Sequence, residues 1–475
     1  MGRKSLLLVL AVPLAVGIVV ACGSVSGESE FPDGDAGNGA TPTPTMTTPL
    51  VPPATETPCT GIKCQQVKCE NGGTTSVTGI VMAPNGTLPL YNVVVYVPQE
   101  ELAPITEGAS CDRCGAVSGK PLVSTLSGVD GTFKLDDMPV GKDIPLVVQV
   151  GKWRRKVVLP RVDRCIDNKL DDRNFTRLPK SKAEGDLPRI AVTTGRCDQL
   201  ACLMPKLGLA TTEFTAASGA GHVHVYRGTA HPTSNPVAAP APTGSLDAAN
   251  LWSDVAKLKA YDMLMLSCEC GEHEETKPPA TKDALYQFTT NGGRVFASHF
   301  HYTWAERAPL STAAQWMGSE SNPENQPGPY LIDTTFPKGD ALAKWLVAVK
   351  ASTTPGEMPI SQPRENVGAV VSPTQRWVYR KTNAAPDAGP PETTKYLSVN
   401  TPIGKKVEEQ CGKFVFADMH LYGGDVQPAA TALPDDGYPA TCGTTLTAEE
   451  KALAFLFFDL ASCIQDDTKP PPVPR

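Results

Sequence analysis

The stretch "GGRVFASHFHYTW", residues 292–304, holds the densest set of side chains that could do chemistry. A glycine turn and an apolar run lead to Ser298, His299 and His301. His420 closes a similar run, "GKFVFADMHL" at 412–421, and Glu269 follows the apolar "DMLML". Two or three histidines with a carboxylate are the usual open catalytic zinc set. His299, His301 and His420 are therefore the candidate metal ligands and, with Glu269, the candidate catalytic groups. Side chains alternate along a strand, so a strand continuing through His301 would put His299 and His301 on one side. His222-x-His224 has the same spacing, and Glu272 and His273 follow Glu269 closely. The competing reading is histidines that line a pocket and are satisfied by hydrogen bonds. Ser298 lacks the G-x-S-x-G frame of a serine nucleophile.

The other reactive groups are thiols. The chain has 14 cysteines. Cys22 stands apart, after an N-terminus with Arg3 and Lys4, an apolar stretch from Leu6 to Val20, and "VVAC". That pattern reads as a secretory signal at 1–21. "VVAC" resembles a bacterial lipobox, which implies diacylglycerol on Cys22 and a lipid anchor to the membrane. Gly23 supplies no inner-membrane retention signal of the Asp type, so the expected location is the cell envelope, at the outer membrane. Thirteen cysteines then remain, and an oxidising envelope should pair most of them. An odd number leaves at least one over. Cys111, Cys114, Cys197, Cys202, Cys442 and Cys463 are the disulfide candidates. Cys111-x-x-Cys114 sits in loop-like sequence, where a mutual disulfide, a zinc site and a redox pair are the alternatives. Cys268 and Cys270 alternate faces on one strand, so each must pair elsewhere or one is the free thiol.

Without Arg3 and Lys4, 41 basic side chains face 50 acidic ones. No basic cluster offsets that balance, so nucleic acid is not an expected partner. "KWRRK" at 152–156 reads as a solvated strand face.

The elements that would position these groups fall into segments. Residues 22–58 form a Pro/Thr-rich stalk that cannot bury a core. A Cys-rich segment at 59–73 follows. Residues 74–164 are short β-branched runs bounded by Asn-Gly, Asp-Gly and Pro-Val-Gly turns, the pattern of an all-β sandwich. Residues 165–187 read as a polar linker. Residues 188–465 alternate strands and helices, with helices expected at 197–209, 246–261 and 447–464. Apolar strands buried on both sides imply a doubly wound parallel sheet with flavodoxin-like layering. Thr447 followed by Glu450 marks a capping box. Residues 305–405 read as irregular, and 466–475 as a Pro-rich tail. Thr194, Cys268–Glu272, Ser298–His301 and Asp418–His420 all fall at C-terminal strand ends, where such sheets bind ligands.

Two families are resembled. "VTGIVMAPNGTLPLYNVVVYV…GVDGTFKLDDMPVGKDIPLVVQVGKW" is similar to carboxypeptidase regulatory-like domains, which implies a non-catalytic, transthyretin-like sandwich. Here the pattern is interrupted by the Cys111–Cys114 loop. "YDMLMLSCECGEH…ALYQFTTNGGRVFASHFHYTW…GKFVFADMHLYGG" resembles the class I glutamine amidotransferase-like superfamily, nearest its ThuA-like branch. Amidotransferases place a cysteine nucleophile on a strained turn after the strand. The matching position here is His299, with His420 as the late histidine, so the resemblance does not imply amidotransfer.

The expected role is a membrane-anchored binding or structural protein directed at cell-surface glycans, without catalysis. Its alternative is a carbohydrate-active hydrolase or isomerase using the histidine cluster, with or without a divalent metal as cofactor. Tyr302, Trp304, Trp316, Tyr330 and Trp345 could stack on sugar rings or pack as core.

Overall fold

The computed structural model describes residues 59–229, 241–318, 327–382, 391–421, 438–440 and 442–474. The expected signal sequence, Cys22 and the stalk lie outside the described residues. No helix among those described is long and apolar enough to cross a membrane.

The chain first builds seven strands: β1 (Ser76–Ile80), β2 (Val94–Pro98), β3 (Pro121–Leu126), β4 (Thr132–Leu135), β5 (Gly141–Val150), β6 (Trp153–Val162) and β7 (Asp167–Lys169). They make one sheet in the order β4-β1-β7 and another in the order β3-β2-β5-β6. Alternation along the strands turns Val77 and Leu135 of the first sheet, and Val95, Leu146 and Val148 of the second, into one apolar core. The stretch expected to be a linker is instead part of this unit. β7 pairs in parallel with β1, and Thr176 and Leu178 are buried. "KWRRK" is also only partly a solvated face: Lys152 and Arg154 are buried and paired with Asp262 and Asp186.

The remaining strands are β8 (Ile190–Thr193), β9 (Phe214–Thr215), β10 (Val223–Tyr226), β11 (Met263–Leu266), β12 (Arg294–Ser298), β13 (Ala314–Trp316), β14 (Leu331–Ile332), β15 (Gln362–Pro363), β16 (Val367–Val370), β17 (Gln375–Lys381), β18 (Glu392–Thr401), β19 (Gly412–Ala417) and β20 (Met419–His420). Nine of them form a single sheet in the order β14-β17-β18-β19-β12-β11-β8-β10-β9. From β9 to β19 every pairing is parallel. β18, β17 and β14 then extend the sheet with antiparallel pairings. Those three strands come from the region expected to be irregular. Their alternation is masked because β18 is buried at eight of its ten positions, polar residues included.

The helices are α1 (Leu203–Lys206), α2 (Ala249–Trp252), α3 (Val255–Lys259), α4 (Pro279–Thr290), α5 (Pro337–Ala348) and α6 (Ala448–Ala461). The helices expected at 197–209 and 246–261 are shorter and broken, the first into a 3-10 turn plus α1 and the second into α2 and α3. α6 begins with the full capping box of Thr447 and Glu450. Successive residues of the parallel strands enter two separate cores. Val192, Met263, Met265, Phe296 and Val415 join α6 and the first β unit. Ala191, Leu264, Leu266, Ala297 and Phe416 join α2 and α4. The sheet is thus covered on both faces, the condition for continuous apolar strands. Trp153 of β6 packs edge-on against Phe457 and Phe458 of α6, so the two β-rich regions share a core.

Six disulfides form among the described residues: Cys59–Cys64, Cys69–Cys165, Cys111–Cys411, Cys114–Cys463, Cys197–Cys270 and Cys202–Cys442. Cys111 and Cys114 do not pair with each other. Each reaches out of its loop into the nine-stranded region, so the loop is a clamp. The Pro-rich tail is tied down as well. Asp467 is bound by Lys338 and Lys413.

Candidate functional site

β11, β12 and β19 lie side by side in the parallel sheet, so their C-terminal ends open on one edge. β12 stops at Ser298, and residues His299–Ala305 turn into a 3-10 helix. His299 makes that turn with φ 38°, in the left-handed region. A non-glycine residue there costs about 1–2 kcal/mol and needs surrounding contacts to hold it. The turn throws the His299 ring sideways toward its neighbouring strand ends. His299 Nδ1 lies 2.6 Å from His420 Nε2 and 3.4 Å from Cys268 Sγ. Cys268 Sγ lies 3.2 Å from His420 Nε2. Three side chains from three strand ends thus converge on one point. All three are buried, at 0%, 2% and 3% exposure for Cys268, His299 and His420.

Neighbouring groups hold this arrangement. The Arg364 guanidinium donates to His420 Nδ1 at 2.8 Å. Nδ1 is therefore an acceptor, and in the neutral ring the proton sits on Nε2, facing His299 and Cys268. Gly195 packs so tightly on the Cys268 carbonyl that a Cβ there would lie 2.0 Å from its oxygen. The Cys197–Cys270 disulfide staples the same loop across Cys268. Asp198, next in that loop, accepts from the backbone amides of Leu200 and Leu421. Burial lifts its carboxyl to about 6.

Burial decides the charge state of the three converging groups. It pushes the Cys268 thiol up to about 12. It pulls His420 down to about 3, with Arg364 adding to the effect. It holds His299 well below the usual histidine range, reinforced by His420 and Arg364. Near neutral pH the group is a thiol and two uncharged imidazoles. A protonated buried thiol is not a nucleophile.

The other sequence candidates go elsewhere. The strand does not continue through His301, so the H-x-H spacing does not bring its ring beside His299. His301 Nε2 meets the Ser267 carbonyl at 2.9 Å, and its Nδ1 accepts from Trp304 Nε1 at 3.1 Å. Both ring nitrogens are used, and burial lowers the ring to about 4. Glu269 forms a buried pair with Lys277 at 2.9 Å and accepts from the Thr229 amide. Lys277 lies over the Trp252 and Trp304 rings. Burial alone would raise the Glu269 carboxyl, but Lys277, His301 and the Thr229 amide together hold it low. Ser298 Oγ donates to the Leu266 carbonyl. His224 bonds Tyr261, and His222 lies near Glu107 and Glu213. Tyr302, Trp304, Tyr330 and Trp345 are buried, so their faces are not offered to sugars.

Two residues that matter here were not joined to the histidines by type and spacing. Cys268 carried a signal: it ends an apolar strand, and the cysteine count is odd. Arg364 carried none, lying in "SQPREN" within a stretch of no clear periodicity.

No family model matches the chain, and no curated protein matches it. Among solved structures, two interface mutants of a type II cohesin–X-dockerin complex from Acetivibrio cellulolyticus are found. The C-terminal mutant is 14% identical, with 26% of this chain and 78% of that chain covered at a TM-score of 0.15. The N-terminal mutant is 12% identical, with 31% and 88% covered at a TM-score of 0.16. Likeness at that level carries no argument about fold or function.

Proposed function

We propose that the chain is an exported cell-envelope lipoprotein, anchored by lipid on Cys22 at the outer membrane, that acts as a non-catalytic binding or structural protein. In this reading the seven-stranded region is a β-sandwich of carboxypeptidase regulatory type, and the nine-stranded region is a ThuA-like, amidotransferase-like domain. The lipobox-like "VVAC" and the six disulfides support export to an oxidising compartment. One observation carries the non-catalytic part. The residue after β12 is His299, and the Cys268 thiol beside it is fully buried. A cell-surface glycan is the partner in this reading, met by surfaces other than the buried aromatics.

A second reading keeps a carbohydrate-active hydrolase or isomerase. The contact between His299 and His420 at the strand ends favours it, since that edge is where parallel sheets bind ligands.

Membrane fractionation of the wild type and of Cys22→Ala tests the anchor. The wild type should sediment with outer membrane and Cys22→Ala should be released; equal partitioning would refute the lipoprotein assignment. Glycan-array binding by the detergent-solubilised protein, with turnover assays on the bound sugars, separates the two readings.

A further inference from the structure

We infer that Cys268, His299 and His420 form a binding site for a single thiolate-seeking transition-metal ion of the zinc/copper class. The inference rests on the strand ends being the working edge, and is independent of the anchor and of any glycan.

Donor chemistry is the first argument. One sulfur and two imidazole nitrogens suit zinc and copper, whereas calcium and magnesium require oxygen ligands. The carboxylates that could add oxygen are committed: Glu269 to Lys277, and Asp198 to the amides of Leu200 and Leu421.

Geometry is the second. The three donor atoms all lie within 4.8 Å of one another. Ligands about 2.0–2.3 Å from one ion stand roughly 3.3–3.6 Å apart. Of the two sulfur–nitrogen distances, 3.4 Å falls within that span and 3.2 Å just short of it. The nitrogen–nitrogen distance of 2.6 Å must open by roughly 0.7 Å to reach the same span.

Backbone strain is the third and is independent of the donors. His299 adopts φ 38°, a strained conformation for a non-glycine residue, and in it the ring is aimed at this point. Burial is the fourth. At 0–3% exposure the three side chains leave no surface for a sugar, but an ion needs none.

Binding is balanced as a proton exchange. The metal takes the place of the Cys268 thiol proton, which passes to solvent, and His299 and His420 bind as neutral imidazoles, the His420 proton moving from Nε2 to Nδ1. The thiolate leaves one net positive charge with zinc(II) and none with copper(I). The Arg364 guanidinium, which donates to Nδ1 in the ion-free structure, must release that nitrogen when the ion binds.

The test uses the detergent-solubilised full chain. It is titrated with zinc(II), with copper(I) kept reduced by ascorbate, and with cobalt(II) as a spectroscopic probe. One ion per chain is expected, and cobalt should show a sulfur-to-metal charge-transfer band. Changing residues that only support ligands already costs about 10–100-fold in affinity, so Cys268→Ser, His299→Ala and His420→Ala should each lose at least about 100-fold. His222→Ala, away from the cluster, should bind as the wild type does. The zinc and copper arms identify the cation. Absence of stoichiometric binding, a cobalt spectrum without the sulfur band, or unchanged affinity in folded ligand variants would overturn the inference. Should the variants fail to fold, the wild-type cobalt spectrum still decides. Failure here together with normal anchoring of the wild type would leave the lipoprotein reading intact.

Discussion

His299 Nδ1 lies 2.6 Å from His420 Nε2 across 121 residues of chain. Neither ring reaches the other through a local motif. They meet because β12 and β19 are parallel neighbours and both end at the same edge. Most of the chemistry available to this protein follows from that adjacency and from Cys268 ending the next strand along.

The elbow conformation makes a stability prediction. At φ 38° a short polar side chain is tolerated far better than a β-branched one. His299→Val should therefore be less stable than His299→Asn by about 1–2 kcal/mol in urea unfolding. Equal stabilities would show that residue 299 leaves the left-handed region in solution.

The clamp predicts a large effect from a distant pair. Cys114–Cys463 spans 349 residues and joins the inserted loop to the end of α6. Replacing both cysteines by serine should cost about 2–5 kcal/mol, seen as a lower Tm under non-reducing conditions. Peptide mapping of the unreduced protein should recover the Cys111–Cys411 linkage. Cys268 should be alkylated only after unfolding.

Glu269 and Lys277 predict a double-mutant result. Removing one partner strands a buried charge and should cost about 3–5 kcal/mol, as in Glu269→Leu or Lys277→Met alone. The double variant should be more stable than either single one. If Glu269→Leu leaves stability unchanged, the pair is not buried as described.

Glu449 predicts a pH dependence. Burial lifts its carboxyl to about 7, although it accepts from the Ser361 amide and hydroxyl. A folded pKa above the unfolded value favours the folded state at low pH. Its contribution is fully present below about 4.5 and is lost as pH rises through 7. Glu449→Gln should thus be more stable than the wild type at pH 8, by on the order of 2–3 kcal/mol, and nearly equal to it at pH 4. The opposite trend would mean that Glu449 is ionised and paired in the fold.

Much of the α/β region was legible because its signals are local. The apolar runs of β11, β12 and β19, and the Thr447–Glu450 cap of α6, depend on neighbours within a few residues. β17 and β18 were not legible, since polar residues such as Thr393, Thr394 and Lys395 are buried there, Thr394 and Lys395 donating to the backbone carbonyls of Gly368 and Arg364. The 165–187 segment misled for a related reason. Its polar residues pair along β7 and against β1, so polarity marked hydrogen bonding and not a free linker.

The sequence alone determined that the residue after the apolar run "RVFAS" is histidine and not cysteine. It also determined that thirteen cysteines beyond Cys22 could not all pair within one chain. Tertiary structure alone decided that Cys268 is the unpaired one and that it stands between His299 and His420. It also turned His301 away, by ending the strand at Ser298 and curling the chain into a 3-10 turn. The physical reason is range: periodicity encodes which face a residue takes on its own element. Only the packing order of the strands sets which element ends lie side by side.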